Sequence, residues 1–447
     1  MKLLQFFILA LSLALISCAT EKTEDNTSLE SYLDSLIQSQ VDQGKIAGAG
    51  VAVYRGSEKI LVKGYGYADL EFNVPMPTDA TFEIGSITKQ FTGVAILQLV
   101  GEGKLALDDD FTKYVKFDTQ GKKITISQLL SHTSGIESYT DTRWFKDLMI
   151  EKHKRDTLLR IIEKEKFDFE PGDALIYNNT GFFILGLVIE KVSGMTYEAY
   201  IQKNCFDKAG MKHAYYGNET RIVKNRAHGY DFRDSILFRT RYLDHTWPYA
   251  AGSLCASPED LVLWNQALHH GKILSDSLYK EFLSPYILND GVQTRYAKGI
   301  TVVQDHGRTM IEHAGGINGF ISENRYYPDE DLSIVVLYNT AGPVGPITTA
   351  EKIADKLLSV QTQPEKLFAG NLSDFTGTYH GTARGMDADV SVFVKDSALY
   401  FTFMNDTTRL LHDHDQVWFE GNNYLYFKPN QLEIDQAYGY YRLKKVE

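Results

Sequence analysis

Alternation of apolar and polar residues, the mark of a strand, occurs early and late in this chain and is missing from the long stretch between. Gly48 to Tyr54 and Ile60 to Tyr67 alternate around Gly56-Ser57, a hairpin signal. After Ala297, the runs Thr309 to Gly315, Phe320 to Tyr327 and Leu332 to Asn339 are separated by turn residues at Gly316, Asn318-Gly319 and Pro328 to Asp331. They read as an antiparallel meander. From about Leu107 to Leu283 the pattern is mostly helical, with a strong helix start at Ser257-Pro258-Glu259-Asp260: a capping Ser, Pro at the first helical position, then two acids. Further helices are expected over Leu29 to Val41 and from about Thr348 to Leu358. Strands bury an apolar face only against another layer, so both sets are expected to meet in one sheet. The expected fold is α+β: an antiparallel sheet built from both ends, helices packed on it, and a helical lobe beside it.

Composition shifts after Gln361-Thr362-Gln363-Pro364. The remainder is dense in aromatics, including Phe375, Tyr379, Phe401, Trp418, Phe427 and Tyr440, in short alternating runs between Gly, Asn and Asp turns. That pattern predicts a small all-β domain, sandwich or barrel, with the aromatics as its core or as the lining of a ligand cavity.

Met1-Lys2 followed by the apolar run Leu3 to Ile16 fits a secretory signal and is short for a membrane span. The run ends Leu15-Ile16-Ser17-Cys18, which resembles a bacterial lipobox; cleavage after Ala19 is the alternative. The expected division is a signal peptide over 1–17, a polar tether over 18–28, a main domain over 29–362 and the β domain over 365–447. Cys18 is the expected lipidation site, which places the protein outside the cytoplasm as a periplasmic or cell-envelope lipoprotein held to the membrane by its lipid alone. With 46 Lys+Arg against 58 Asp+Glu, the net charge of −12 excludes electrostatic binding to nucleic acid or anionic lipid. Cys205 and Cys255 are too few for a disulfide framework and could either pair or stay as buried thiols. No spacing points to a metal or a cofactor. Oligomeric state is not legible.

The chemistry-bearing feature is Ser86-Ile-Thr-Lys89, which follows Phe82-Glu-Ile-Gly85 and opens an apolar helix from Phe91 to Val100. Residues three apart on a helix share a face, so the Lys amine comes within reach of the Ser hydroxyl. A Ser that acylates without a His base needs such an amine. A second S-x-x-K, Ser277 to Lys280, lies on a charged stretch expected at the surface. Acylation also needs a group to handle the leaving group's proton and donors for an oxyanion. Tyr177-Asn178-Asn179, ahead of the apolar helix Phe182 to Val192, offers a phenol and an amide to orient substrate. His313-Ala-Gly315-Gly316 ends a strand, where glycines let a carbonyl approach the backbone.

In this order the segments resemble the serine β-lactamase-related superfamily, in its class C β-lactamase and D,D-peptidase branch, over about residues 30 to 360. Phe82 to Lys89 is similar to the nucleophile motif, Leu129-Leu-Ser-His-Thr-Ser-Gly-Ile136 to the signature loop, and Pro171-Gly-Asp with Tyr177 to Phe182 and Leu185-Gly186 to the tyrosine motif and its helix. Ala251-Gly-Ser253 to Asp260, and His313 to Gly316 with Gly319-Phe320, complete the set. The C-terminal domain resembles the lipocalin-like extensions of some members.

The resemblance implies that Ser86 attacks a carbonyl, Lys89 takes or stabilises its proton, and Tyr177 serves as base in deacylation and acid for the leaving group. It implies that Asn179, His313 and Gly315 contact substrate and that the backbone N–H groups of Ser86 and Gly316 hold the oxyanion. Either Lys89 or Tyr177 can take the first proton. His132, in the signature loop, is expected to be structural. Many β-lactamases of this branch carry Lys where His313 stands; His offers no permanent charge to a substrate carboxylate. The expected function is therefore a serine hydrolase of small amide, peptide or ester substrates, D,D-peptidase or penicillin-binding-like. The alternatives are an esterase or D-amino-acid peptide hydrolase, a true class C-type β-lactamase, and a non-catalytic binding or sensor protein. Because the whole constellation precedes residue 360, the β domain is expected to be separable from catalysis.

Overall fold

The computed structural model describes residues 29–217, 220–359, 366–383, 386–403 and 406–446. The signal segment, Cys18, the tether and the Gln361 to Pro364 linker lie outside them.

Seven strands form the main sheet: β1 (Gly48–Arg55), β2 (Glu58–Asp69), β3 (Val74–Pro75), β4 (Thr301–Asp305), β5 (Arg308–Ile317), β6 (Phe320–Tyr327) and β7 (Leu332–Tyr338). Their order is β4-β5-β6-β7-β1-β2-β3. The early and late strand sets join where β1 pairs antiparallel with β7, Val51 opposite Val336. Alternation then sends successive side chains to opposite faces. Ala49, Val51 and Val53 pack with Leu33 and Ile37 of the first helical segment and with Ile353 and Ala354 of a helix over Pro346–Leu357. Ala52 faces the helical lobe.

That lobe is built on α1 (Thr88–Gly101), α2 (Asn179–Ser193) and α3 (Pro258–His269). The Ser257 cap forms the expected box: its hydroxyl accepts from Asp260 N–H, and the Asp260 side chain returns to Ser257 N–H. The middle is less helical than its sequence suggests. It holds the short strands Leu175–Ile176, Tyr215–Tyr216, Tyr230–Arg233, Ile236–Arg239 and Leu254–Ala256. Two to four residues cannot display a period, so these were invisible to alternation. Cys205 and Cys255 are both buried free thiols.

The C-terminal domain is a nearly closed antiparallel barrel. Its strands are β8 (Gly377–Ala383), β9 (Met386–Lys395), β10 (Ala398–Phe403), β11 (Asp406–Arg409), β12 (Leu411–His414), β13 (Val417–Glu420), β14 (Asn423–Lys428), β15 (Gln431–Gln436) and β16 (Gly439–Lys445). The order is β11-β10-β9-β8-β16-β15-β14-β13-β12, so the two edge strands follow each other across Leu410. Phe375, Tyr379, Phe401, Trp418 and Phe427 pack in its core, while Tyr440 packs outside it with Leu175, Leu288 and Tyr296.

This barrel does not stand apart. Leu175–Ile176 pairs with β16, Ile176 opposite Gly439 and Leu175 opposite Tyr440. Ile176 is itself part of the barrel's apolar cluster. Arg295 donates from Nε to Asp435 Oδ1 at 3.1 Å, and Arg442 donates to the Asp173 carbonyl at 3.1 Å. The expected separability from catalysis stands beside a shared backbone ladder: β16 pairs with the strand that ends at Ile176, directly before Tyr177.

Candidate active site

Ser86 sits in a single 3-10 turn, Gly85–Ile87, that runs directly into α1. Gly85 adopts φ +51°, and a Cβ there would lie 2.8 Å from the Gly316 nitrogen and oxygen. A side chain at Gly85 would thus be strained and would collide with the end of β5. Gly315 meets the same turn from the other side: its Cβ would lie 2.1 Å from the Ile84 carbonyl oxygen. The glycines on both segments let the Ser86 turn press backbone-to-backbone against β5. Gly315 has this packing duty whatever it does toward a substrate.

One turn along α1, the Lys89 amine lies 3.1 Å from Ser86 Oγ, 2.8 Å from Asn179 Oδ1 and 2.9 Å from the Ala251 carbonyl oxygen. Lys89 is fully buried, and that burial alone pushes its pKa well below the ordinary amine range. Its hydrogen-bond partners among the described residues are oxygens of Ser86, Asn179 and Ala251, none of them a carboxylate. Asn179 Oδ1 and the Ala251 carbonyl can only accept, so both take protons from the amine, and the Ser86 hydroxyl is the one partner of the three that can also donate.

Asn179 is fixed as well as fixing. Its Nδ2 donates to Thr140 Oγ1 at 3.0 Å and its backbone N–H to Ser138 Oγ at 3.1 Å. Both ends of its side chain are held by protein, so in this arrangement it orients Lys89, whereas the sequence assigns it to a substrate amide. Asn178 caps α2 by accepting from Gly181 N–H at 2.7 Å.

Tyr177 closes the other side. The Lys89 amine lies 4.8 Å from its ring centroid, and its ring packs at 4.3 Å from His132 and 5.7 Å from Tyr438. His132 holds a left-handed backbone (φ +60°), and its Nδ1 accepts from Asn178 N–H at 3.0 Å. The signature loop therefore orients the tyrosine motif from beneath.

His313 finds partners for both ring nitrogens within the protein. It is fully buried; its Nε2 lies 2.8 Å from the Tyr296 hydroxyl and its Nδ1 lies 2.5 Å from the Ala314 carbonyl oxygen. The carbonyl can only accept, so Nδ1 carries the proton and Nε2 accepts from Tyr296. Burial, with the nearby Lys89 second, pushes its pKa down to about 3, and it stays neutral. Both ring nitrogens are engaged within the protein rather than turned to a substrate.

Two residues of this site escaped the sequence reading. Tyr296 anchors His313, and Tyr438, in the turn between β15 and β16, accepts from Ala314 N–H at 2.8 Å while donating to Glu312 Oε2 at 2.8 Å. Only the aromatic composition of the C-terminal domain hinted at the latter. The second S-x-x-K is what the sequence suggested: Ser277 and Lys280 are exposed on a short helix, Asp276–Phe282, with no such partners.

The family model described as Beta-lactamase matches residues 33–358. Protein flp of Staphylococcus aureus is 29% identical over 331 residues, covering 72% of this chain and 64% of its own length. The D-aminopeptidase of Brucella anthropi is 28% identical over 345 residues, covering 75% of this chain and 62% of its own. The chain therefore spans less than two thirds of the length of these curated relatives. Among solved structures, the octameric penicillin-binding protein homologue from Pyrococcus abyssi superposes with a TM-score of 0.66 at 25% identity, covering 93% of this chain and 99% of that one. That share reaches past the main domain into the barrel. With the family model spanning most of the sequence, the chain belongs to the Beta-lactamase family.

Proposed function

We propose that this protein is a serine hydrolase that works through an acyl-enzyme on small amide or ester substrates, with amides and short peptides of D-amino acids as the preferred class. The observation that carries the reading is the buried Lys89 amine, 3.1 Å from Ser86 Oγ with its other two contacts being pure acceptors.

In acylation the Ser86 hydroxyl gives its proton to Lys89 and Oγ bonds to the substrate carbonyl carbon. The backbone N–H groups of Ser86 and Gly316 stabilise the oxyanion. The bond to the leaving nitrogen or oxygen breaks as that atom takes a proton through Tyr177, which Lys89 restores. In deacylation a water loses a proton to the Tyr177–Lys89 pair and bonds to the acyl carbon, and Ser86 regains its proton as the ester bond breaks.

The substrate class follows from His313. A D,D-carboxypeptidase or β-lactamase substrate presents a carboxylate, and the position where many relatives hold Lys is here a neutral, buried imidazole. Uncharged amides, as the name of the Brucella anthropi relative suggests, suit it better. Residence at the cell envelope rests on the lipobox-like Leu15 to Cys18. Cys18→Ser should release the protein from the envelope fraction, and continued tight membrane association would refute the lipid anchor.

A fluorophosphonate probe, followed by a hydrolysis panel of D-amino-acid amides, acyl-D-Ala-D-Ala peptides, short esters and a chromogenic cephalosporin, tests the reading. Labelling at Ser86 with the uncharged amides turned over fastest is the expected result. No labelling would point to a binding or sensor protein on this fold.

A further inference from the structure

Strand β5 is paired with β4 only as far as Glu312, which lies opposite Thr301. From His313 onward that edge of β5 has no strand partner among the described residues, while the opposite edge pairs with β6 through Ile317. In an antiparallel strand, alternate residues send their N–H groups to the same edge. Ala314 N–H points to the open edge, because it meets the Tyr438 hydroxyl there. Gly316 N–H, two residues on, points the same way, toward the Ser86 turn. Such an edge can take an extended substrate as an added strand.

We propose that Tyr438, delivered by the barrel, blocks that edge and makes it a specificity device: it limits the enzyme to substrates with small leaving groups. The inference rests on the serine-hydrolase reading above. Two residues of strand span about 7 Å. Tyr438 thus occupies the first edge donor beyond Gly316, leaving room on that side for one small group. The side is the leaving-group side, because Tyr177, which protonates the departing atom, lies ring to ring with Tyr438 at 5.7 Å. Tyr438 is held firmly enough to act as a stop. Its hydroxyl bridges Ala314 N–H and the buried Glu312 carboxyl, and its ring packs 5.2 Å from His313 and 6.0 Å from Tyr296. The neighbouring residue Gly439 is laddered to Ile176, and Arg295 ties Asp435 of β15 to the main domain. The barrel thereby contributes a wall of the cleft.

The test uses one acyl group with leaving groups of growing size and no carboxylate: D-alaninamide, D-alanyl-D-alaninamide and D-alanyl-tri-D-alaninamide. In the full-length protein kcat/KM should fall by about tenfold or more from the first to the last, the discrimination a shaped pocket gives. Tyr438→Leu keeps an apolar filler but is shorter and frees the Ala314 N–H; it should flatten that ratio. Tyr438→Phe keeps the ring in place and should keep most of the discrimination. A purely structural role would slow all three substrates equally and leave the ratio unchanged, and that outcome in Tyr438→Leu overturns the inference. So does a wild-type enzyme that cleaves the longest substrate as fast as the shortest, or cleaves none of them, while Ser86 still labels with fluorophosphonate. Absence of labelling in the wild type overturns the hydrolase reading itself and takes this inference with it.

Discussion

The two sides of the cleft are built on opposite terms. One side is polar: Ser86 and Lys89 come from one turn and the helix it opens, and the Lys89 nitrogen meets three oxygens. The other is aromatic and assembled from afar: His132, Tyr177, Tyr296, His313 and Tyr438 come from five separate segments and meet ring to ring. The polar side governs where protons sit, and burying an amine without a counter-charge costs stability. The aromatic side excludes water, fixes shape and returns stability through buried area. Damage to the first should remove chemistry and spare the fold; damage to the second should disturb fold and selectivity and spare labelling.

The largest effect expected is from Ser86→Ala, which should abolish labelling and lower turnover by about 10⁴–10⁶-fold with little change in Tm. Ser277→Ala should change neither, and a loss there would break the assignment. Next is Lys89→Met, expected to slow acylation by about 10²–10⁴-fold. Its effect on stability has a definite sign. The folded-state pKa is well below the unfolded one, so the unfolded chain holds more protons and stability rises with pH across the window between them. At neutral pH that term is unfavourable, so Lys89→Met should melt no lower than wild type. For the same reason kcat/KM should rise with pH as the amine loses its proton, with a midpoint well below the ordinary amine range. A midpoint in that ordinary range would show that the amine is charged when it meets Ser86.

Tyr177→Phe should slow deacylation by about 10²-fold or more, so that acyl-enzyme accumulates. Unchanged burst amplitude and steady-state rate would remove Tyr177 from the chemistry and assign it to shape alone. The smallest effect belongs wholly to the aromatic side. Tyr296→Phe leaves the buried His313 Nε2 without its donor and should cost about 1–3 kcal/mol in chemical denaturation, with Ser86 labelling retained. Loss of labelling without loss of stability would merge the two sides into one unit.

The same division explains what the sequence disclosed. Ser86 and Lys89 are three apart, so helix geometry alone brings them together. The β6 strand was read to its ends, Phe320 to Tyr327, because turn residues bound it on both sides. The Pro346–Leu357 helix was placed two residues late, because Pro346 at its first position was not taken as a start. The protein partners of Asn179 and His313 were hidden for a different reason. A side chain's partner is set by what packs against it, and Thr140 and Tyr296 carry no motif. Tyr438 is the extreme case: it meets Ala314 at a separation of 124 residues, and Ala437-Tyr438-Gly439 reads as an ordinary turn.

The ladder between Leu175–Ile176 and Gly439–Tyr440 also sets a timetable. A polypeptide is made from its N-terminus, at about 5–20 residues per second. The nucleophile, its lysine and Tyr177 all emerge well before β16. Until that strand arrives, the segment leading to Tyr177 has an unpaired edge, and nothing stands against Ala314. A nascent chain that already holds Ser86, Lys89 and Tyr177 therefore lacks the Tyr438 hydroxyl against Ala314 until the barrel follows.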